Sequence, residues 1–270
     1  METRERKQIE GTFEAAIKVS APVTLDAAVD SGLVRVRAGE DGVVLIRGIL
    51  RARHTLFGWG NVENRIRQLE VRPPIQQDGN TIRVGDVGDR WLLRGVTLFL
   101  EIAVPADTRV RALADSGDVR VEGTNAPADC EADSGDVEIF SVGADVHAST
   151  DSGTIRIRQV KGRVRANADS GDIEALDIAG DVQASTDSGD IRISQTLAAS
   201  IRAEADSGSI DVRLAPDAGY NISLRTDHGR LTTLEMEFRG RPTHKEIDGR
   251  IRGGGPLVDL ETDSGSIDVK

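Results

Sequence analysis

The motif Asp-Ser-Gly begins at Asp115, Asp133, Asp151, Asp169, Asp187 and Asp206, at spacings of 18, 18, 18, 18 and 19 residues. A second acid, at Asp118, Asp136, Asp172 and Asp190, stands three places after four of these. A column of carboxylates is the kind of oxygen-ligand array that calcium takes. Thr154 and Ser209 interrupt the column, and the Gly-Gly-x-Gly-x-Asp pattern of calcium rolls is missing. The plainer chemistry is local: the first Asp of each motif accepts backbone N–H groups in an Asx-type turn.

The other reactive residues are few. Cys130 is the single cysteine, so no disulfide scaffold is available. It falls in a column otherwise filled by Ala, which reads as a buried, inert thiol. His147 falls in the neighbouring repeat but at an outward position, so it does not pair with Cys130 as a base. His54, His147, His228 and His244 show no ligand spacing. Leu56-Phe-Gly-Trp-Gly60 places Phe57 and Trp59 on a glycine-rich connection. They read either as a plug over the end of the fold or as an interaction tip. No catalytic, cofactor or metal-binding residue is assigned, and the chain is expected not to be an enzyme.

Composition narrows the partners. Of the net charge of −11, residues 111–215 carry −10, from 20 acids and 10 bases. Such a balance argues against nucleic acid, which needs positive surface to neutralise phosphates. Apolar runs such as Gly95 to Leu100 fall far short of the ~20 residues that span a bilayer, so no integral membrane segment is expected. The start, METRERKQIE, shows no apolar leader or anchor, so a cytoplasmic location is expected. Aromatics amount to 3%, and the middle segment holds only Phe140.

These residues must be positioned by a repeating element. Four and six places after each Asp stand Val119/Val121, Val137/Ile139, Ile155/Ile157, Ile173/Ala175, Ile191/Ile193 and Ile210/Val212. This is apolar alternation with period two, the mark of a strand buried on one face. Nine places after the Asp come Thr124, Val142, Val160 and Ile178, with Leu197 one place later. A second strand precedes each Asp, with Ala112, Cys130, Ala148, Ala166, Ala184 and Ala203 three places before it. Ser-Gly supplies one turn, and Gly143, Gly162 and Gly180 mark the other. Strands this short cannot bury their apolar face alone, but stacked coils share one narrow core. The prediction is an all-β, single-stranded β-solenoid (a β-helix or β-roll) of ~18-residue coils, roughly nine coils and ~40 Å long. Five places after the Asp stand Arg120, Glu138, Arg156, Glu174, Arg192 and Asp211, alternating in sign as neighbours in a parallel stack would.

Residues 1–19 read as an N-terminal arm. Residues 20–110 read as an irregular β region continuous with the rod and capping it, and 111–270 as the regular part with atypical C-terminal coils. No amphipathic helix is expected. Asp30 begins an early Asp-Ser-Gly copy; Asp263 begins a late one, 36 residues or two periods after the weaker Asp-His-Gly at Asp227. The chain stops at Val269-Lys270, inside a strand, so that end should be folded under by residues 239–255 or paired with a second molecule as a homo-oligomer.

The stretch from Val96 to Gly123, VTLFLEIAVPADTRVRALADSGDVRVEG, with the repeated Asp-Ser-Gly units after it, resembles the bacterial putative-adhesin family, a β-strand-repeat domain of unknown function. Residues 249–269, GRIRGGGPLVDLETDSGSIDV, resemble its characteristic ending. The resemblance covers roughly residues 20–270. It implies a single-stranded β-helix, often attached to surface or envelope proteins, with no established catalytic residues to carry over. The leading function is therefore a non-enzymatic scaffold or interaction module for a protein or cell-surface partner. The alternatives are a self-assembling structural protein similar to bactofilin-type polymers and, further off, a carbohydrate-active enzyme.

Overall fold

The computed structural model describes residues 8–53, 62–85 and 90–270. In chain order its elements begin with β1 (Gln8–Lys18), β2 (Val23–Ala38), β3 (Val43–Arg53), α1 (Val62–Val71), β4 (Ile75–Asp78), β5 (Thr81–Gly85), α2 (Arg90–Leu93), β6 (Thr97–Val104) and β7 (Thr108–Glu122). The repeats supply β8 (Ala128–Ser134), β9 (Val137–Val142), β10 (Val146–Ser152), β11 (Ile155–Val160), β12 (Val164–Ser170), β13 (Ile173–Ile178), β14 (Val182–Ser188), β15 (Ile191–Gln195), β16 (Ile201–Ser207) and β17 (Ile210–Arg213). The rest is β18 (Tyr220–His228), β19 (Leu231–Thr232), β20 (Glu237–Phe238), β21 (Glu246–Ile251), β22 (Leu257–Ser264) and β23 (Ile267–Val269). The described strands join one open sheet, and the fold is all-β in class.

Each repeat contributes one strand to each of two parallel ladders. In the first, β8, β10, β12, β14 and β16 pair in register, as in Ala148↔Ala166 and Ala184↔Ala203. In the second, β9, β11, β13, β15 and β17 do the same, as in Ile155↔Ile173 and Ile191↔Ile210. Between the ladders lies a dry core: Cys130, Ala148, Ala166, Ala184 and Ala203 face Ile139, Ile157 and Ile193, all at 2% exposure or less. Small residues here let the two ladders approach, and fully burying one Ile such as Ile155 contributes about 1.5–3 kcal/mol. The column expected to hold Leu197 holds Gln195 instead. Gln195 pairs with Ile178 and is 4% exposed, while Leu197 is 61% exposed in a loop that absorbs the nineteenth residue.

The Asp-Ser-Gly motif bends the chain without ending strands everywhere, for β2 and β7 run unbroken through their copies. Its glycine is required by close approach between layers. A Cβ on Gly153 would lie 2.1 Å from the Gly135 carbonyl oxygen, and one on Gly171 only 1.8 Å from that of Gly153. Thr150 and Thr186, which replace Ala just before the Asp, donate their hydroxyls to the carbonyls of Gly135 and Gly171 at 3.1 Å. Buried polar atoms are thereby paired inside the stack.

At both ends, layer order departs from chain order. β2 lies directly on β7, with Ser31↔Ser116 in register, and its outer edge pairs with β5 and then β6. The outermost layer there is therefore later in sequence than the one beneath it. β3 and β1 extend β6 antiparallel, and β4 extends β5. At the far end β22 inserts between β16 and β18, and β23 between β17 and β19. The copy at Asp263 thus stacks on the one at Asp206, with Ser207↔Ser264, and the 36-residue interval is an excursion, not two periods. The expectation of an unpaired edge at Val269-Lys270 is overturned, since β23 is hydrogen-bonded on both sides. Residues 239–255 do cover an end, because β21 pairs antiparallel with β18, but the layer covered is not the chain terminus.

The expectation of no helix is also corrected. α1 buries Ile66 and Leu69 against β1, where a Cβ on Gly11 would meet Ile66 at 2.4 Å. Val62, Ile66 and Leu69 have the i, i+4, i+7 spacing of one helix face, and Arg67 pairs with Glu63 at 2.9 Å. Arg65 donates to the carbonyls of Trp91 and Arg94 at 3.0 and 2.7 Å, tying α1 to α2. No helix among the described residues is long and apolar enough to cross a membrane.

Candidate functional site

Two outward columns of charge run along the stack, one on each ladder. On the second ladder the alternating residues are direct neighbours, as the spacing predicts: Arg120↔Glu138↔Arg156↔Glu174↔Arg192↔Asp211. Arg120 meets Glu138 at 3.0 Å, and Arg156 meets Asp136 at 2.8 Å and Glu138 at 3.8 Å. Arg120 also lies over the Phe140 ring at 5.1 Å. Where Asp211 meets Asp268, Lys270 bridges both at 2.5 and 2.7 Å. The centre of this column pairs its own charge, while Arg35 lies beside Arg120 and, among the described residues, no ion pair engages the exposed Arg192.

The carboxylates of the motif are engaged differently from the expectation. The fourth residue accepts, and it accepts from the next layer: Asp118, Asp136, Asp172 and Asp190 take the amides of Asp136, Thr154, Asp190 and Ser209 at 2.9–3.0 Å. The first Asp of the motif, as at Asp133 and Asp151, points into solvent. Burial by itself would raise the Asp136 carboxyl, but the Thr154 amide and the Arg156 guanidinium outweigh it and hold it below the usual carboxylate range.

Cys130 is fully buried, and that burial, with Asp129 and Glu131 nearby, pushes its thiol far above the usual range. His147 points outward from the adjacent layer, its Nδ1 2.8 Å from Asp129 Oδ1. His228 takes a serine position in the stack, opposite Ser264. Phe57, Trp59 and His54 lie outside the described residues.

The first ladder carries the feature that sequence reading missed. Its outward column runs Arg83, Asp26, Arg111, Asp129, His147, Arg165, again as register neighbours. Its arginine contacts are longer, with Arg83–Asp26 at 4.0 Å and Arg111–Asp129 at 3.9 Å, while His147 meets Asp129 at 2.8 Å. Two residues earlier on β7, and just ahead of β12, Arg109 and Arg163 add positive charge, offset beside Arg163 by Asp145 and by Asp181 at 4.0 Å. The side chains of this column, with Arg109, Arg163 and Asp145, border an open groove of about 510 Å³, beneath which Val110, Ala128 and Val146 turn their side chains into the core. The groove crosses β5, β2 and β7 and continues over the starts of β8, β10 and β12. At ~4.8 Å per strand it extends roughly 24 Å along the stacking axis.

Five arginines therefore face three aspartates and one histidine in a chain whose net charge is −11. Among the described residues no ion pair or side-chain hydrogen bond engages Arg109 or Arg165. The signal was present in sequence, since Asp26, Arg111, Asp129, His147 and Arg165 each stand four places before an Asp-Ser-Gly. The concavity was not, because it arises from the side chains of six adjoining layers. Guanidinium groups held along such a groove offer paired donors to carboxylate, sulfate or phosphate oxygens.

A family model described as Toastrack DUF4097 matches residues 76–270. No curated protein matches the chain. Among solved structures it is similar to a putative adhesin from Bacteroides fragilis NCTC 9343, at 16% identity and a TM-score of 0.47, over 96% of this chain and 97% of that one. A putative cell adhesion protein from Clostridium sporogenes ATCC 15579 is similar at 13% identity and a TM-score of 0.29, over 96% and 99% of the two chains. The family match takes in the regular layers and the C-terminal excursion and leaves β1, β2 and β3 outside it. With 76–270 of its 270 residues matched, the chain belongs to the Toastrack DUF4097 family.

Proposed function

We propose that this chain is a non-enzymatic interaction module, adhesin-like in kind. In this reading it is a β-solenoid of 18-residue coils, wound in chain order through its middle, that holds an anionic partner on the first-ladder groove. The observation that carries the reading is Arg109 and Arg165, two exposed guanidiniums in one groove that no carboxylate among the described residues engages. Five arginines gathered against three aspartates in one concave surface support a face kept for a partner. The polar groups are spread across six layers, which suits docking along a line. Catalysis would need them converging on one reacting atom.

A sulfonate cation-exchange matrix tests the reading directly. The wild-type chain is expected to be retained at low salt despite its net charge of −11. The variant Arg109→Glu/Arg165→Glu should flow through. Flow-through of both would contradict an anion-binding face.

A further inference from the structure

The make-up of the groove narrows the partner further, resting on the reading of the groove as a binding face. We propose that it takes a linear, carboxylate-bearing oligosaccharide, laid along the stacking axis. Its shape is the first reason. The groove is open, straight and carried across six parallel strands, so it suits an extended polymer better than a compact metabolite.

Its chemistry is the second reason. The basic groups do not stand alone: Asp26, Asp129 and Asp145 are interleaved with them, and Thr24 and Thr81 lie at the end where β5 meets β2. An inorganic polyphosphate has acceptors for the arginines but no donors for these carboxylates. A saccharide acid offers both kinds of partner, hydroxyl donors for the aspartates and carboxylate acceptors for the arginines. Asp145 Oδ1 already accepts from the Arg163 backbone amide at 2.9 Å, which fixes its carboxylate at the groove edge.

The lining supplies the third reason. Among the described residues no aromatic side chain lines the groove, so the stacking that single-stranded nucleic acid relies on is missing there. Nor does the overall charge of −11 favour a phosphate backbone.

Isothermal titration calorimetry of the full chain tests the proposal with three probes: an oligogalacturonate hexamer, the neutral cellohexaose and inorganic polyphosphate. The hexamer should bind, and the neutral saccharide and the polyphosphate should each bind at least about tenfold more weakly. Arg109→Gln/Arg165→Gln should weaken hexamer binding by about tenfold or more while melting like the wild type, because neither arginine has an ion pair to lose among the described residues. Equal or tighter binding of polyphosphate would overturn the saccharide assignment and leave the anion-binding reading intact. Hexamer binding unchanged in the variant would overturn the placement in the groove. Self-association abolished by the same variant, with no hexamer binding, would replace the saccharide by a second copy of the chain. Absence of binding to every probe, together with no retention on sulfonate, would defeat both the inference and the reading beneath it.

Discussion

The two ladders carry columns of alternating charge at the same layer spacing, yet they use that charge differently. On the second ladder Arg120, Glu138 and Arg156 are close enough to neutralise one another, at 3.0 and 3.8 Å, with Asp136 closing the set at 2.8 Å. On the first ladder the arginine contacts stretch to 3.9 and 4.0 Å, only His147 meets an acid closely, at 2.8 Å, and no ion pair among the described residues engages Arg109 or Arg165. Alternation of sign in a stacked repeat is therefore not evidence of function by itself. Unpaired charge occurs on both ladders, as Arg192 on the second shows, so what marks the first is that its arginines are gathered in a concave surface.

The comparison can be broken most severely by removing the stack on which both ladders ride. Gly153→Val forces a Cβ to within 2.1 Å of the Gly135 carbonyl oxygen, at the centre of the regular layers. Chemical denaturation should show a loss of about 4 kcal/mol or more, or no folded protein at all. A variant as stable as the wild type would mean that the layers are not packed as described.

A smaller effect separates the two faces. Glu138→Ala removes a carboxylate shared by Arg120 and Arg156 and should destabilise by about 0.5–1 kcal/mol. Arg165→Ala, on the open ladder, should fall within about ±0.5 kcal/mol. Equal losses at the two sites would erase the distinction drawn between the ladders.

The smallest effect is an acid one. Asp136 has its carboxyl pKa lowered in the fold, so its contribution is fully present above the unfolded-state value, near pH 4. It is lost as pH falls through the lower folded-state value. The gap in melting temperature between wild type and Asp136→Asn should accordingly be steady from pH 7 to 5 and shrink below pH 4. A gap that widens on acidification would reverse the assigned direction.

How much of this was legible before folding depends on which residues mark a layer. The middle of the chain announces itself, because each Asp-Ser-Gly sits where Gly must let the next carbonyl approach, and chain order equals layer order there. The second-ladder column followed at once from that alignment. The ends did not, for a physical reason. An outer layer needs only one matching neighbour, and a coil can reach its place by a long excursion that leaves no periodic trace. The 36-residue interval from Asp227 to Asp263 equals two periods only by coincidence, since β20 and β21 fold back in between. The helix at Val62–Val71 lay unnoticed among arginines and glutamates that dilute its three apolar positions. The groove required both kinds of information, since β5 and β2 belong to the reordered end and β7, β10 and β12 to the regular stack.

The most direct test of a binding ladder set against a structural one is a single titration read on both faces. Nitrogen-15-labelled protein would be titrated with the oligogalacturonate hexamer while the arginine Nε–Hε signals and the His147 ring are followed by NMR. Shifts are expected at Arg111, Arg165 and His147, with Arg120 and Arg156 on the opposite ladder unmoved. Shifts of equal size on both ladders, or shifts confined to Arg120 and Arg156, would contradict this assignment.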